Sequence, residues 1–250
     1  MIRLEALSKR YGAHDAVRSL SLHVLPGELF GFLGPNGAGK TTTIKMIAGL
    51  LRPTSGRIEI AGHDLASHPV EAKGALGFIP DRPFLYEKLS AAEFMRFVAG
   101  IYGIDGGALN GRIDDLLSLV ELQQVRSQLI ESFSHGMKQR LVVASAFLHQ
   151  PKVMVVDEPM VGLDPKGARL IKRVFREYCD SGNSVFVSTH TLEVAQELCD
   201  RIGIILRGEL VALGTMGELK AKAETDGNDL EEIFLKLTGG EGFKESEGAL

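Results

Sequence analysis

The chain has 250 residues, with 28 Lys and Arg against 32 Asp and Glu, for a formal charge of −4. That balance excludes a chain-wide polycation built to coat nucleic acid or an acidic membrane, and a hydrophobic share of 44% excludes a disordered chain. The most apolar stretch, 141–148, falls far short of the roughly 20 residues of a membrane span; the first ten residues lack the apolar core of a signal peptide, and two cysteines without a CxxC fit a reducing cytoplasm.

Residues 2–7 and 20–25 alternate apolar and polar, which predicts strands with one wetted face. Residues 29–33 (LFGFL) are continuously apolar, as in a strand covered on both faces. A helix is expected over 40–50 and a short strand over 57–60. From residue 91 to about 150 the helical period dominates, with Phe94, Phe97 and Val98 on one face and Ile113, Leu116, Leu117 and Val120 on another. Residues 153–156 and 185–188 repeat the buried-strand texture. Helices are expected over 165–180 and 191–199, and a strand over 202–206 turns at Gly208-Glu209 into 210–213. Buried strands alternating with helices predict an α/β fold with a mostly parallel sheet, and the middle reads as an inserted helical subdomain. From Ala223 on there are eight acidic and two basic residues. There Leu230, Ile233, Phe234 and Leu237 predict one amphipathic helix, with a frayed end over 239–250.

Glycine is 29 of the 250 residues, and six fall between Gly27 and Gly49. Gly34, Pro35, Asn36, Gly37, Ala38, Gly39, Lys40 and Thr41 spell a complete GxxxxGK[ST] P-loop between a buried strand and a helix. Glycines let successive amides curl into an anion nest, and the helix start adds positive potential. Lys40 then reaches the outer phosphates, and the Thr41 hydroxyl is placed for Mg2+. Residues 152–159 (KVMVVDEP) put Asp157 at the carboxyl end of a buried strand, where α/β sheets bind ligands. Asp157 is the second expected metal ligand, and Glu158 is placed to orient and deprotonate a water.

Between these motifs, residues 133–140 (FSHGMKQR) resemble the signature segment of the ATP-binding cassette (ABC) ATPases. Phe133 takes the Leu place of LSGGQ, His135 the first Gly place and Met137 the Gln place, while Ser134 and Gly136 are kept. A side chain at His135 is expected to restrict backbone approach to a phosphate. Other marks of the family follow in order. Tyr11 resembles the aromatic residue that stacks on adenine. Gly162-Leu163-Asp164-Pro165 resembles the D-loop, whose Asp lies at a subunit contact. Ser188-Thr189-His190 resembles the switch that ends in a γ-phosphate-sensing histidine. The segment Gly77-Phe78-Ile79-Pro80 is followed by Asp81 where the family has Gln, so Asp81 becomes a candidate for nucleotide and metal.

The resemblance implies a P-loop NTPase core over 1–81 and 151–220 with an N-terminal antiparallel β subdomain, a helical subdomain over about 82–150, and a short acidic tail over 221–250. It implies ATP and Mg2+ as ligands: Tyr11, the P-loop with Thr42, Asp81, Ser134 and Gly136 for ATP; Thr41, Asp81 and Asp157 for the metal; Glu158, His190 and Lys40 for catalysis. It implies a head-to-tail pair of ATPase subunits, a homodimer or with a related chain as the alternative, each signature capping the other's ATP. The expected partner is an integral membrane permease docked at 81–89, which puts the chain at the cytoplasmic face of the membrane; no nucleic acid is expected. Gly136-Met137 and the segment 230–239 resemble the ABC-2-type exporter branch. An importer ATPase, or a soluble ABC-type ATPase acting on ribosomes or nucleic acid, is the alternative. A GTPase is disfavoured by the lack of an NKxD motif.

Overall fold

The computed structural model describes residues 1–82, 84–225 and 229–239. Strands β1 (Ile2–Tyr11) and β2 (His14–Val24) form an antiparallel hairpin whose last pair is Tyr11 and His14. Both run well past the stretches where alternation is visible. Ala6 (φ 45) and Ser19 (φ 44) break the register. Their amides are taken by the Ser21 and Ser8 hydroxyls at 2.9 Å instead of by a strand partner. Bulges of this kind shift the side-chain phase, so the outer half of the hairpin no longer reads as a strand.

Strand β3 (Leu29–Leu33) is wholly buried and leads through the glycine-rich turn into α1 (Lys40–Ile47), shorter than the expected 40–50. Next come β4 (Ser55–Ile60), β5 (His63–Asp64), α2 (Pro69–Gly74) and β6 (Leu76–Ile79). The helical subdomain holds α3 (Ala91–Ile101), α4 (Leu109–Leu119) and α5 (His135–Ala146). A reciprocal cap between Ser90 and Glu93 starts α3. Phe94 faces the core, but Phe97 is 42% exposed and stacks edge-on against Tyr86 instead. The chain returns to the sheet with β7 (Val153–Asp157), α6 (Pro165–Asp180), β8 (Ser184–Thr189), α7 (Leu192–Leu198), β9 (Arg201–Leu206) and β10 (Glu209–Gly214). The β9–β10 turn is Arg207-Gly208, one residue earlier than the sequence suggests, with both residues at positive φ.

The strands form two sheets. One is antiparallel in the order β2-β1-β4-β5; the other has the order β10-β9-β3-β8-β7-β6. In the second, β9, β3, β8, β7 and β6 are parallel and only the edge strand β10 is antiparallel. Central strands buried on both faces explain the continuous apolar runs of β3, β7 and β8. Phe30, Phe32 and Phe186 stack across β3 and β8 at centroid distances of 5.5 and 5.3 Å.

Helices α8 (Met216–Lys222) and α9 (Leu230–Thr238) close the described chain. Leu230, Ile233 and Phe234 of α9 are buried in one cluster with Leu192 and Ala195 of α7, Leu219 of α8 and Leu33 at the end of β3. The acidic tail helix is thus part of the core, and α8 runs unbroken across residues 220–222. Of the end over 239–250 expected to fray, Gly239 caps α9 and 240–250 lie outside the described residues. Both cysteines are free. Among the described residues, no helix is long and apolar enough to cross a membrane.

Candidate active site

The P-loop links the central strand to a helix start, and two of its glycines are demanded by close approach. A Cβ at Gly34 would lie 2.3 Å from the Ile205 carbonyl oxygen, and one at Gly39 (φ 109) 2.6 Å from that of Ala16. Gly39 caps α1 without a side chain, so no side-chain oxygen takes the first amides of the helix. Those amides are left for an anion. Both hairpins brace the turn. The Gly208 amide donates to the Ala38 carbonyl at 2.9 Å, and the Arg18 amide to the Gly208 carbonyl at 2.7 Å.

Lys40 is 7% exposed. Its ammonium donates to the carbonyls of Gly34 (2.5 Å) and Pro35 (3.1 Å). Burial lowers its pKa, and the carboxylates of Glu158 and Asp157 counter that shift.

A cleft of about 550 Å³ opens above the P-loop. The hairpin contributes Tyr11, His14 and Ala16; the P-loop and α1 contribute Asn36, Gly37, Gly39, Lys40, Thr41 and Thr42. Asp81, Asp157, Glu158, Val161 and His190 complete it, at or just beyond the carboxyl ends of β6, β7 and β8. Gly34, Pro35 and Ala38, also expected at the ATP site, are not among its lining residues, and Ala38 is buried. Tyr11 is half exposed, with the Lys9 ammonium 5.2 Å from its ring centroid.

Asp157 is 7% exposed, and burial raises its pKa; the charges of Glu158 and Asp81 push the same way, while Ser188 and Lys40 oppose them. Ser188, its register partner on β8, lies close enough to favour the carboxylate. Its buried hydroxyl nevertheless lacks a partner at full hydrogen-bond geometry. Glu158 sits at φ 51, a backbone region that strains a non-glycine residue. Its amide donates to the Ser188 carbonyl at 2.9 Å. One carboxylate oxygen accepts from the His190 amide (3.0 Å) and lies 2.7 Å from His190 Nδ1. The other accepts from the Thr189 hydroxyl at 2.9 Å, which in turn accepts from the Thr191 amide at 3.0 Å. Asp157, Glu158 and His190 therefore meet the P-loop in one cleft. His14, Ala16 and Val161 line it without having been singled out, and Thr189 orients Glu158. The signal for Thr189 was its place before His190 at a strand end.

Among the described residues, no group of three or more His, Cys, Asp or Glu forms a metal cage. The donors that are present, the Thr41 hydroxyl and a buried carboxylate short of cationic partners, suit a divalent ion that takes its remaining ligands from phosphates and water. Mg2+ binds in that way.

Ser134 and Gly136 lie outside this cleft. Ser134 caps α5 by accepting from the Met137 amide at 3.3 Å. The His135 ring lies against Gly162, where an added Cβ would come within 2.0 Å of its Cδ2. Asp164 caps α6, accepting from the Gly167 amide at 3.0 Å. A second cleft of about 580 Å³ is lined by His135, Lys138, Gln139 and residues of the segment 81–88.

A family model described as ABC transporter matches residues 17–161. The linearmycin resistance ATP-binding protein LnrL of Bacillus subtilis (strain 168) is 38% identical over 226 residues, 90% of this chain and 73% of that one. The bacitracin transport ATP-binding protein BcrA of Bacillus licheniformis is 41% identical over 212 residues, 84% of this chain and 68% of that one. A solved structure described as the ATP-binding subunit of an ABC transporter superposes with a TM-score of 0.89 at 34% identity, covering 95% of this chain and 99% of that one.

Proposed function

The chain belongs to the ABC transporter family as an ATPase subunit, and on that premise we propose that it drives export through a separate integral membrane permease at the cytoplasmic face of the membrane. The observation that carries the catalytic reading is the meeting of P-loop, Asp157 and the Glu158–His190 pair in one cleft. In this reading Tyr11 stacks on adenine, and the amides of 34–42 with Lys40 hold the phosphates. Thr41, Asp157 and Asp81 would hold Mg2+, which would neutralise phosphate charge. Asp81 reaches less far than the Gln it replaces and adds a negative charge. Glu158 orients the attacking water and accepts its proton, and His190 holds Glu158 and meets the γ-phosphate.

Neither Ser134 nor Gly136 lines the cleft over the P-loop, and His135 between them lines a different one. That separation supports a head-to-tail dimer in which each chain completes the other's site. A homodimer is the simplest form. The resistance in the name of LnrL, the Gly136-Met137 pair and the segment 230–239 favour export over import. The segment 81–89 is the proposed permease dock.

Glu158→Gln tests the reading. The variant is expected to bind ATP as the parent does, to lose about 10²–10⁴ in hydrolysis rate and to accumulate as an ATP-bound dimer in light scattering. Hydrolysis at the parent rate would remove Glu158 as the base.

A further inference from the structure

We propose that His135 is a positioning residue that fastens the loop 161–164 to the first turn of α5, so that the two move as one body. The inference rests on reading Ser134 and Gly136 as contacts to ATP held by a second copy. A Cβ added at Gly162 would lie 2.0 Å from His135 Cδ2 and 2.3 Å from Nε2. The imidazole thus fills the space that any side chain at 162 would need, and Gly162 also stands at φ 75. The next residue of the helix repeats the contact: a Cβ at Gly136 would lie 3.6 Å from Leu163 Cδ2 and 3.7 Å from the Gly162 carbonyl oxygen.

The loop itself is tied to both sites. It leaves Glu158 through a turn in which the Val161 amide donates to the Glu158 carbonyl at 3.3 Å, and Val161 lines the nucleotide cleft. It ends at Asp164, fixed as the cap of α6. His135 joins this loop to the surface between Ser134 and Gly136. One exposed ring therefore connects the chain's own hydrolytic carboxylate to the turn that caps the other copy's ATP. A glycine at 135 would leave loop and turn joined by the looser contact at Gly136. Packing, not proton transfer, is the role that this geometry gives the ring.

The full-length chain tests this by steady-state hydrolysis at varied ATP, with binding of a fluorescent ATP analogue measured alongside. His135→Gly is expected to bind the analogue as the parent does, to lose about tenfold in kcat through misplacement of the loop, and to bring the Hill coefficient toward one. His135→Phe, which restores a flat ring, is expected to recover most of kcat. Gly162→Ala is expected to be far more harmful in the parent than in His135→Gly, where the space is vacant. Unchanged kcat and Hill coefficient in His135→Gly would overturn the proposal, as would equal harm from Gly162→Ala in both backgrounds. Failure of Glu158→Gln to dimerise with ATP would instead strike the reading of Ser134 and Gly136, so the two failures are distinct.

Discussion

The Glu158 carboxylate is held by two consecutive residues, Thr189 and His190, while its own backbone occupies φ 51. Beside it Asp157 is almost fully buried, with the charges of Glu158 and Asp81 raising its pKa and that of Lys40 opposing them. Such an arrangement costs stability in the empty protein and suits a site that waits for a cation and an anion together. Asp157→Asn removes the buried charge without changing the shape. In nucleotide-free, metal-free protein it is expected to raise Tm by about 2–4 °C, the shift that ~1 kcal/mol produces in a chain of this size, while hydrolysis is lost. Differential scanning calorimetry checks this, and an unchanged or lower Tm would contradict it. At this scale Lys40, Thr41, Asp157 and Glu158 were legible because their spacing along the chain is itself the motif. His14 was not, because its place follows from strand register opposite Tyr11, and Thr189 was legible only as part of the switch segment, its hold on Glu158 depending on β8 lying beside β7.

At the scale of elements, buried strands declare themselves most clearly. β3, β7 and β8 are covered on both faces, so every residue carries the signal. The β1–β2 hairpin is half hidden in the sequence because its bulges reset the alternation. Helical period misplaced Phe97, whose exposed ring joins Tyr86 outside the core. The amphipathic pattern of α9 was correct, yet periodicity cannot say what a helix packs against. Here it is α7, α8 and the end of β3, next to the P-loop. Phe234→Ala is therefore expected to destabilise the whole chain by about 3–5 kcal/mol, as for a core aromatic, in a single urea transition. A loss under 1 kcal/mol, or separate melting of the tail, would mean that α9 is an appendage.

For the whole molecule, two clefts divide the labour. One holds the P-loop and strand ends; the other holds His135 and the segment 81–88. Phe84 is 81% exposed and packs edge-on to Tyr86 at 5.5 Å, which meets Phe97 at 4.9 Å. A continuous exposed aromatic patch fits a docking surface. The segment behind it is pinned to the helical subdomain by the Glu87–Lys138 and Lys88–Glu131 ion pairs. Phe84→Glu with Tyr86→Glu is expected to abolish co-purification with the permease while hydrolysis by the separated chain stays within about twofold, as for surface changes away from the chemistry. Retention of the complex would move the dock elsewhere.

By itself the sequence determined the nucleotide chemistry and the α/β class, because a P-loop and a run of buried strands are local patterns in which neighbours in the chain are neighbours in space. The tertiary structure alone decided which carboxylate is held by which hydroxyl, where the His135 ring goes and that α9 belongs to the core. Each of these depends on residues far apart in the chain that only register and packing bring together. The glycine excess belongs to both levels: Gly34 and Gly39 are legible as a motif, but the carbonyls of Ile205 and Ala16 that forbid a Cβ there come from distant strands.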